Sequence, residues 1–504
     1  MSPSKWMVMD PTKWYSETVR SGVIELETDI SSEIPLYVQI KEFIKTKITL
    51  GEWSVGTKIP SQRALAVIFN VNRSTVVTAL HDLIAEGLLE GNTKRGTRVV
   101  NNSWNLLAAA PPPDWSSYVQ AGTYYPNQPV VQHINRAEFQ QGIVRLGTGE
   151  LSEDLLPSEQ MKSIFAGSSM NPFSLGYEEP KGNLYLRKQL AHYLQGRGVS
   201  ASPSNILIVS GSLQALQLIS MGLLPRGSSV LVEKPSYLYS VHVFQSNNIK
   251  LVGLPMDEQG VQTNLISRYK EGYHASLLYT IPTFHNPTGT LMSEARRQEL
   301  MRICTNEGLP IIEDDVYNEL WFDTPPPLPL KARDPHALVL YLGSFSKTLS
   351  PGLRIGWVVA PEPVIDRLAD IKMQSDYGSS SISQWAASEW LHRGLYQEHL
   401  VSLRDRLKRR RDLTVQLLTT YFTGMAAWHV PAGGFYIWVK LTVEINMQVL
   451  FERALKAGIL LNPGTIYHRQ TGNYLRISYA YAKPDELEWG MGQLAALMRQ
   501  LAGT

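Results

Sequence analysis

The sequence predicts an α/β protein, a large domain on a mostly parallel sheet preceded by a small, mainly helical domain. Three observations carry this. From Asn205 onward, short buried-type runs at 206–209, 230–232, 276–280, 310–313 and 339–342 alternate with segments of helical period, as strands do when crossover helices cover both faces of a sheet. Between Pro35 and Glu86, three helical stripes follow one another, the last two joined by a tight turn. A chain of 504 residues also exceeds what one hydrophobic core organises, so two or three domains are expected.

Residues 1–32 form an N-terminal extension with a strand-like stretch at 23–28 and no motif. At 35–50, Leu36, Ile40, Phe43, Ile44 and Ile48 recur at three- and four-residue spacing, which makes one amphipathic helix stopped by Gly51. Pro60-Ser61 supplies a turn and an N-cap for a short helix through Phe69. Val71-Asn72 then turns the chain into a third helix, 73–86, with Val76, Val77, Leu80, Leu83 and Ile84 on its inner face. Two short helices across a tight turn make a helix-turn-helix, and 91–98 reads as a basic hairpin, or wing. Segment 33–100 holds nine Lys/Arg against six Asp/Glu. The whole chain carries only +2, so any nucleic-acid signal is local. Arg63, Arg73, Lys94, Arg95 and Arg98 are candidate DNA contacts. Asn72, Arg73, Ser74 and Thr75 place polar side chains at a helix start, where such motifs meet base edges and phosphates. Charge alone fits a solvated surface equally well.

Residues 101–142 read as a linker. The prolines of Ala108-Ala-Ala-Pro-Pro-Pro113 favour an extended spacer, and Trp115, Tyr118, Tyr124 and Tyr125 point to a segment laid along a protein surface. The large domain, 143–504, opens at Arg145-Leu-Gly-Thr-Gly149. Past Ile365 the pattern is helical to about Leu418, and a smaller subdomain covers about 420–504.

Ligands of parallel α/β sheets sit at the carboxyl ends of the strands, and the chemistry-bearing residues fall there. Ser210-Gly-Ser212 follows a strand and opens a helix, so backbone N–H groups and Ser212 form a phosphate cradle. Tyr237 follows the second strand, where a ring can stack on a planar ligand. Asn286 can donate to a phenolate oxygen, although Asn-Pro also marks a turn. Asp314 and Tyr317 lie three residues apart at a strand end; an aspartate facing a pyridine nitrogen keeps it protonated, and a phenol can bond a ring oxygen. A double acid there is otherwise often a solvated turn or a metal site. Ser344-Phe-Ser-Lys347, with Arg354 between Gly352 and Gly356, offers an amine that can condense with an aldehyde, two hydroxyls and a guanidinium for a phosphate dianion. Together these residues read as the protein side of a pyridoxal 5'-phosphate site, with Lys347 as the Schiff-base lysine.

Two resemblances extend this reading. Pro35-Leu-Tyr-x-Gln-Ile40, Lys58-Ile-Pro-Ser-x-Arg63, Val71-Asn-Arg-Ser-Thr-Val76 and Ala85-Glu-Gly-Leu-Leu89 resemble the winged helix-turn-helix of GntR-type bacterial transcription regulators. In order and spacing, the motifs of 143–504 resemble fold-type I aminotransferases of the aspartate aminotransferase superfamily. That likeness implies Lys347 at the cofactor aldehyde, Asp314 on the pyridine nitrogen, Tyr317 and Asn286 on the ring oxygen, and Tyr237 stacked on the ring. It assigns the phosphate to Ser212, the Leu213 N–H, Ser344, Ser346 and Arg354, with Tyr177 reaching over from a neighbouring subunit. Leu213 departs from the polar residue many relatives have there. Arg476, in Asn473-Tyr-Leu-Arg-Ile-Ser478, would grip an effector carboxylate.

The combination resembles MocR-type regulators. It implies a cytoplasmic, head-to-tail homodimer that binds double-stranded operator DNA and senses a small amino compound through the cofactor. Two alternatives stay open: an active aminotransferase with a secondary DNA-binding domain, and a sensor of pyridoxal phosphate itself. No apolar run is long enough to cross a membrane and no secretory leader is expected. The single cysteine, Cys304, excludes an intrachain disulfide, and no metal site is expected.

Overall fold

A computed structural model describes residues 34–92, 96–101, 115–122, 124–166 and 176–503. The chain divides into two compact units, the first ending at Gly122 and the second covering the rest.

In the first unit, helices Leu36–Thr49, Gln62–Ile68 and Arg73–Ala85 enclose a core of Ile40, Ile44, Ile48, Leu65, Val76, Ala79, Leu80 and Leu83. Ser61 caps the second helix, its hydroxyl accepting from the Ala64 N–H at 3.2 Å. The inner face of the third helix differs from the sequence reading. Ala79 is buried, whereas Val77 is only half-buried and Ile84 is 38% exposed. Ile84 lies instead against Gly91, at the start of the wing. Strands Leu89–Asn92 and Gly96–Val99 pair antiparallel, and Lys58 bridges to Arg98 as a third, single-residue rung. Helix Trp115–Ala121 ends the unit with no buried residue.

The second unit is built on an eight-stranded sheet in the order Ile206–Val209, Gly356–Val359, Val339–Ser344, Ile311–Asp314, Ala275–Thr280, Ser229–Lys234, Lys250–Asp257 and Gly260–Val261. Pairing is parallel except at Gly356–Val359, which is antiparallel to both neighbours, and at the edge strand Gly260–Val261. Alternate residues serve opposite faces. Ile206 and Ile208 join Leu186, Leu190, Trp385 and Trp390 on one side, while Leu207 and Val209 join Leu216, Ile219 and Leu368 on the other. Each such fully buried aliphatic contributes roughly 1.5–3 kcal/mol.

A smaller antiparallel sheet, in the order Ala426–Trp428, Tyr436–Leu441, Tyr474–Ser478 and Asn462–Pro463, completes the unit. Strand Val144–Arg145, at the start of the predicted large domain, pairs with Ile459–Leu460 of this C-terminal region. Within the stretch predicted as linker, helix Pro129–Ala137 buries Ile134 and Ala137 in the main core, with Pro129 at the first helical position, where its missing N–H costs nothing.

Candidate functional sites

At one end of the sheet, Gly211 turns strand Ile206–Val209 into helix Ser212–Gly222 with φ of +86°. A Cβ there would lie 2.7 Å from Arg354 Nη2, so glycine is required both by the backbone and by the approaching guanidinium. Arg354 donates to the Ser210 carbonyl at 2.6 Å and keeps an exposed side chain. Gly356 packs on the Gly211 backbone and is the register partner of Ser344. The Ser344 hydroxyl donates to Ser346 Oγ at 3.0 Å. The helix start, with Ser212 in its first turn, Arg354 and the two serines are thus assembled around one point suited to a dianion. Leu213 is 40% exposed. Two residues overlooked in the sequence brace the turn: Gln214 accepts from the Ser210 N–H at 2.7 Å and donates to Asp376 Oδ2 at 3.0 Å.

Asp314 closes strand Ile311–Asp314, buried to 3% exposure. Its Oδ2 accepts from Tyr279 at 2.7 Å, while its Oδ1 has no hydrogen-bond partner. Burial pushes its pKa up to about 6, against the opposing pull of the Tyr279 bond and Lys347. Lys347 donates to the Gly149 carbonyl at 2.7 Å. The Tyr317 hydroxyl lies 3.0 Å from the Tyr436 hydroxyl, and Asn286 Nδ2 donates to it at 3.5 Å. Arg476, 6% exposed, donates to Asn286 Oδ1 at 2.8 Å and to the Gly147 carbonyl at 2.6 Å, with its guanidinium 4.2 Å from the Tyr436 ring centroid. Tyr237 donates its backbone N–H to the Asn286 carbonyl at 3.2 Å. Burial drives its phenol pKa well up, with Asp314, Tyr436, Arg476 and Tyr467 close enough to act on it.

Residues from eight separate stretches therefore meet in one connected cluster, most of it buried. Its unsatisfied Asp314 oxygen needs a donor, as a protonated pyridine nitrogen supplies, and its amine and anion cradle suit an aldehyde and a phosphate. The residues present fit pyridoxal 5'-phosphate. Tyr436 was missed by sequence reasoning because its phenol becomes informative only beside Tyr317. Tyr177 is 81% exposed and its ring lies 5.0 Å from that of Tyr377.

In the first unit, Arg63, Asn72, Arg73, Ser74 and Arg98 are exposed and Thr75 is half-buried. Arg73 donates to Gln62 Oε1 through Nη2 at 2.9 Å and Nε at 3.2 Å, tying the starts of the two paired helices together. Lys94 and Arg95 lie outside the described residues. Lys58, exposed beside Arg98 and stretched over Gly96, extends the basic edge of the wing. Its signal was the Lys58-Ile-Pro-Ser61 motif.

Residues 141–494 match the family described as aminotransferase class I and II, and residues 36–99 match the gntR family of bacterial regulatory proteins. Over 470 residues the chain is 54% identical to the HTH-type transcriptional regulator YisV of Bacillus subtilis, covering 93% of this chain and 97% of that protein. It is 33% identical to the HTH-type transcriptional regulator NorG of Staphylococcus aureus, over 88% of this chain and all (100%) of NorG. Among solved structures, kynurenine aminotransferase of Pyrococcus horikoshii superposes with a TM-score of 0.70 at 30% identity, covering 75% of this chain and 95% of that one. The α-aminoadipate aminotransferase LysN of Thermus thermophilus, solved with N-(5'-phosphopyridoxyl)-L-leucine, gives 0.69 at 27% identity, covering 80% and 99%.

Proposed function

Because the chain belongs to the aminotransferase class I and II family and carries ahead of that domain a gntR-family DNA-binding region, the MocR-type architecture, we propose that it is a transcription regulator whose pocket binds pyridoxal 5'-phosphate and senses an amino compound. The observation that carries the cofactor reading is Asp314 Oδ1, a buried carboxylate oxygen without a donor at the end of a pocket that also holds Lys347. When bound, the cofactor supplies an electron-withdrawing ring and an aldehyde for amines. Asp314 holds the proton on the ring nitrogen. Tyr317 and Asn286 hold the ring oxygen, and Tyr237 covers a ring face. Ser212, the Leu213 N–H, Ser344, Ser346 and Arg354 hold the phosphate, and Tyr177 reaches the phosphate of a neighbouring subunit. Lys347 would offer its amine to the cofactor's aldehyde. Arg476 takes the carboxylate of that compound, exchanging its present carbonyl partner for a charged one.

Arg63, Asn72, Arg73, Ser74, Thr75, Lys94, Arg95 and Arg98 face duplex DNA in this reading, and a head-to-tail homodimer in the cytoplasm presents two winged helices to paired half-sites. The deciding experiment is binding of the cofactor-loaded chain to duplex DNA from upstream of its own gene, at one fixed salt concentration, with and without a panel of amino acids. Specific binding altered by one amino acid is expected; binding altered only by removing the cofactor would make the cofactor itself the signal. The complete set of pocket residues favours a second reading, slow transamination, which rapid turnover with a keto acid and no specific DNA binding would establish instead.

A further inference from the structure

Both cations of the pocket are held by one short loop. Arg476 donates to the carbonyl of Gly147 and Lys347 to that of Gly149, at 2.6 and 2.7 Å. Neither glycine can carry a side chain without collision: a Cβ at 147 would run into Asn462, and one at 149 into the Tyr436 hydroxyl. Thr148, between them, is 2% exposed, and its hydroxyl donates to Glu138 Oε1 at 2.9 Å. Glu138 is the C-cap residue of helix Pro129–Ala137, the first helix of the second unit and the one that follows, in sequence, the stretch leading from the helix-turn-helix. The loop thus touches both cations through its carbonyls and helix Pro129–Ala137 through its hydroxyl.

We propose that Thr148 and Glu138 are positioning residues that pass the occupancy of the pocket to helix Pro129–Ala137. The inference rests on the cofactor reading above. When the Lys347 amino group condenses with an aldehyde, a carbon–nitrogen double bond replaces the aldehyde's carbon–oxygen double bond, two of the nitrogen's hydrogens leave with that oxygen as water, the third proton of the ammonium passes to solvent, and the Gly149 carbonyl loses its donor. A ligand carboxylate drawn to Arg476 competes with the Gly147 carbonyl in the same way. Charge-assisted hydrogen bonds are among the stronger ones, and a buried carbonyl that loses its donor must find another. The loop therefore has reason to shift on binding. Thr148 is its side-chain hydrogen bond to the linker helix, which makes the pair a physical connection whose coupling can be measured directly.

The test is hydrogen–deuterium exchange on the full chain before and after addition of pyridoxal 5'-phosphate, comparing wild type, Thr148→Ser, Thr148→Val and Glu138→Gln. Uptake is followed separately by cofactor absorbance. Loading should change exchange across 129–138 by about threefold or more in wild type. Thr148→Ser, which keeps the hydroxyl, and Glu138→Gln, which keeps an acceptor oxygen, should follow wild type. Thr148→Val should bind cofactor but lose most of the response; a purely structural role would instead shift its exchange equally with and without cofactor. An unchanged helix in loaded wild type, or a wild-type response in Thr148→Val, would overturn the inference alone. A chain that takes up no cofactor would overturn the cofactor reading and this inference with it.

Discussion

Asp314→Asn tests whether the pocket holds a carboxylate against its own solvation preference. Burial raises the Asp314 pKa from 3.8 to about 6. In the unfolded chain the group releases its proton near the lower value, and in the folded cofactor-free chain near the upper one. Between these values the folded state binds more protons, so stability falls as pH rises through the window. The penalty is absent below about pH 4 and complete above about pH 6. Two pKa units correspond to about 3 kcal/mol at most. Spread over residues 123–504, with the usual per-residue unfolding entropy, that is a shift in Tm of about 4 °C. Asparagine keeps an acceptor for Tyr279 but carries no charge, so the variant escapes the pH-dependent part. Thermal unfolding of cofactor-free protein should show the Tm of Asp314→Asn, relative to wild type, rising by about 2–3 °C between about pH 4.5 and about pH 7.5, since about a third of the penalty is already present at the lower pH. A relative Tm that does not change between the two conditions would refute the argument that the carboxylate is strained by burial.

Lys347→Ala should abolish the cofactor's Schiff-base absorbance while far-ultraviolet circular dichroism stays that of the wild type; persistence of the absorbance would move the nucleophile elsewhere. Gly211→Ala puts a side chain at φ +86° beside Arg354, which should cost about 1–3 kcal/mol of stability and weaken cofactor affinity, read by thermal unfolding and absorbance titration. Arg73→Ala should weaken specific DNA binding by roughly 1–3 kcal/mol if the guanidinium reads a base edge, measured by titration at fixed salt. An equal loss on all sequences would make it a phosphate contact.

Strands buried on both faces were legible in the sequence because they are short continuous apolar runs, as at Ile206–Val209. Strand Lys250–Asp257 was not, because most of its residues are only partly buried and Gly253 and Pro255 interrupt the run. The antiparallel sense of Gly356–Val359 is a property of its neighbours, and nothing in four apolar residues encodes it. Ile84 fitted the helical stripe by spacing, yet the wing strand offers Gly91 beside it and the side chain lies there. Helix Pro129–Ala137 had a signal in Val130, Val131, Ile134 and Ala137, which the neighbouring proline-rich stretch outweighed. In the pocket, residue types and strand-end positions were readable. Contacts across long separations were not: Arg476 on Asn286, Lys347 on Gly149 and Tyr436 on Tyr317 become visible only once the chain is folded.

The pairing of Ser344 with Gly356 has a consequence for how such a chain can change over generations. Those two residues close a loop, 345–355, that carries Ser346, Lys347 and Arg354, and Gly356–Val359 is locked between two strands while the Trp357 indole fills the space beside Gly343. Because the strand is buried along its whole length and its register is held on both sides, one residue added or removed inside the loop would have to be taken up by 345–355 itself, displacing Ser346, Lys347 or Arg354. A replacement at Lys347 disturbs no strand. The lineage can therefore silence its chemistry by a single replacement and keep its architecture, whereas the loop's length is inherited with the sheet.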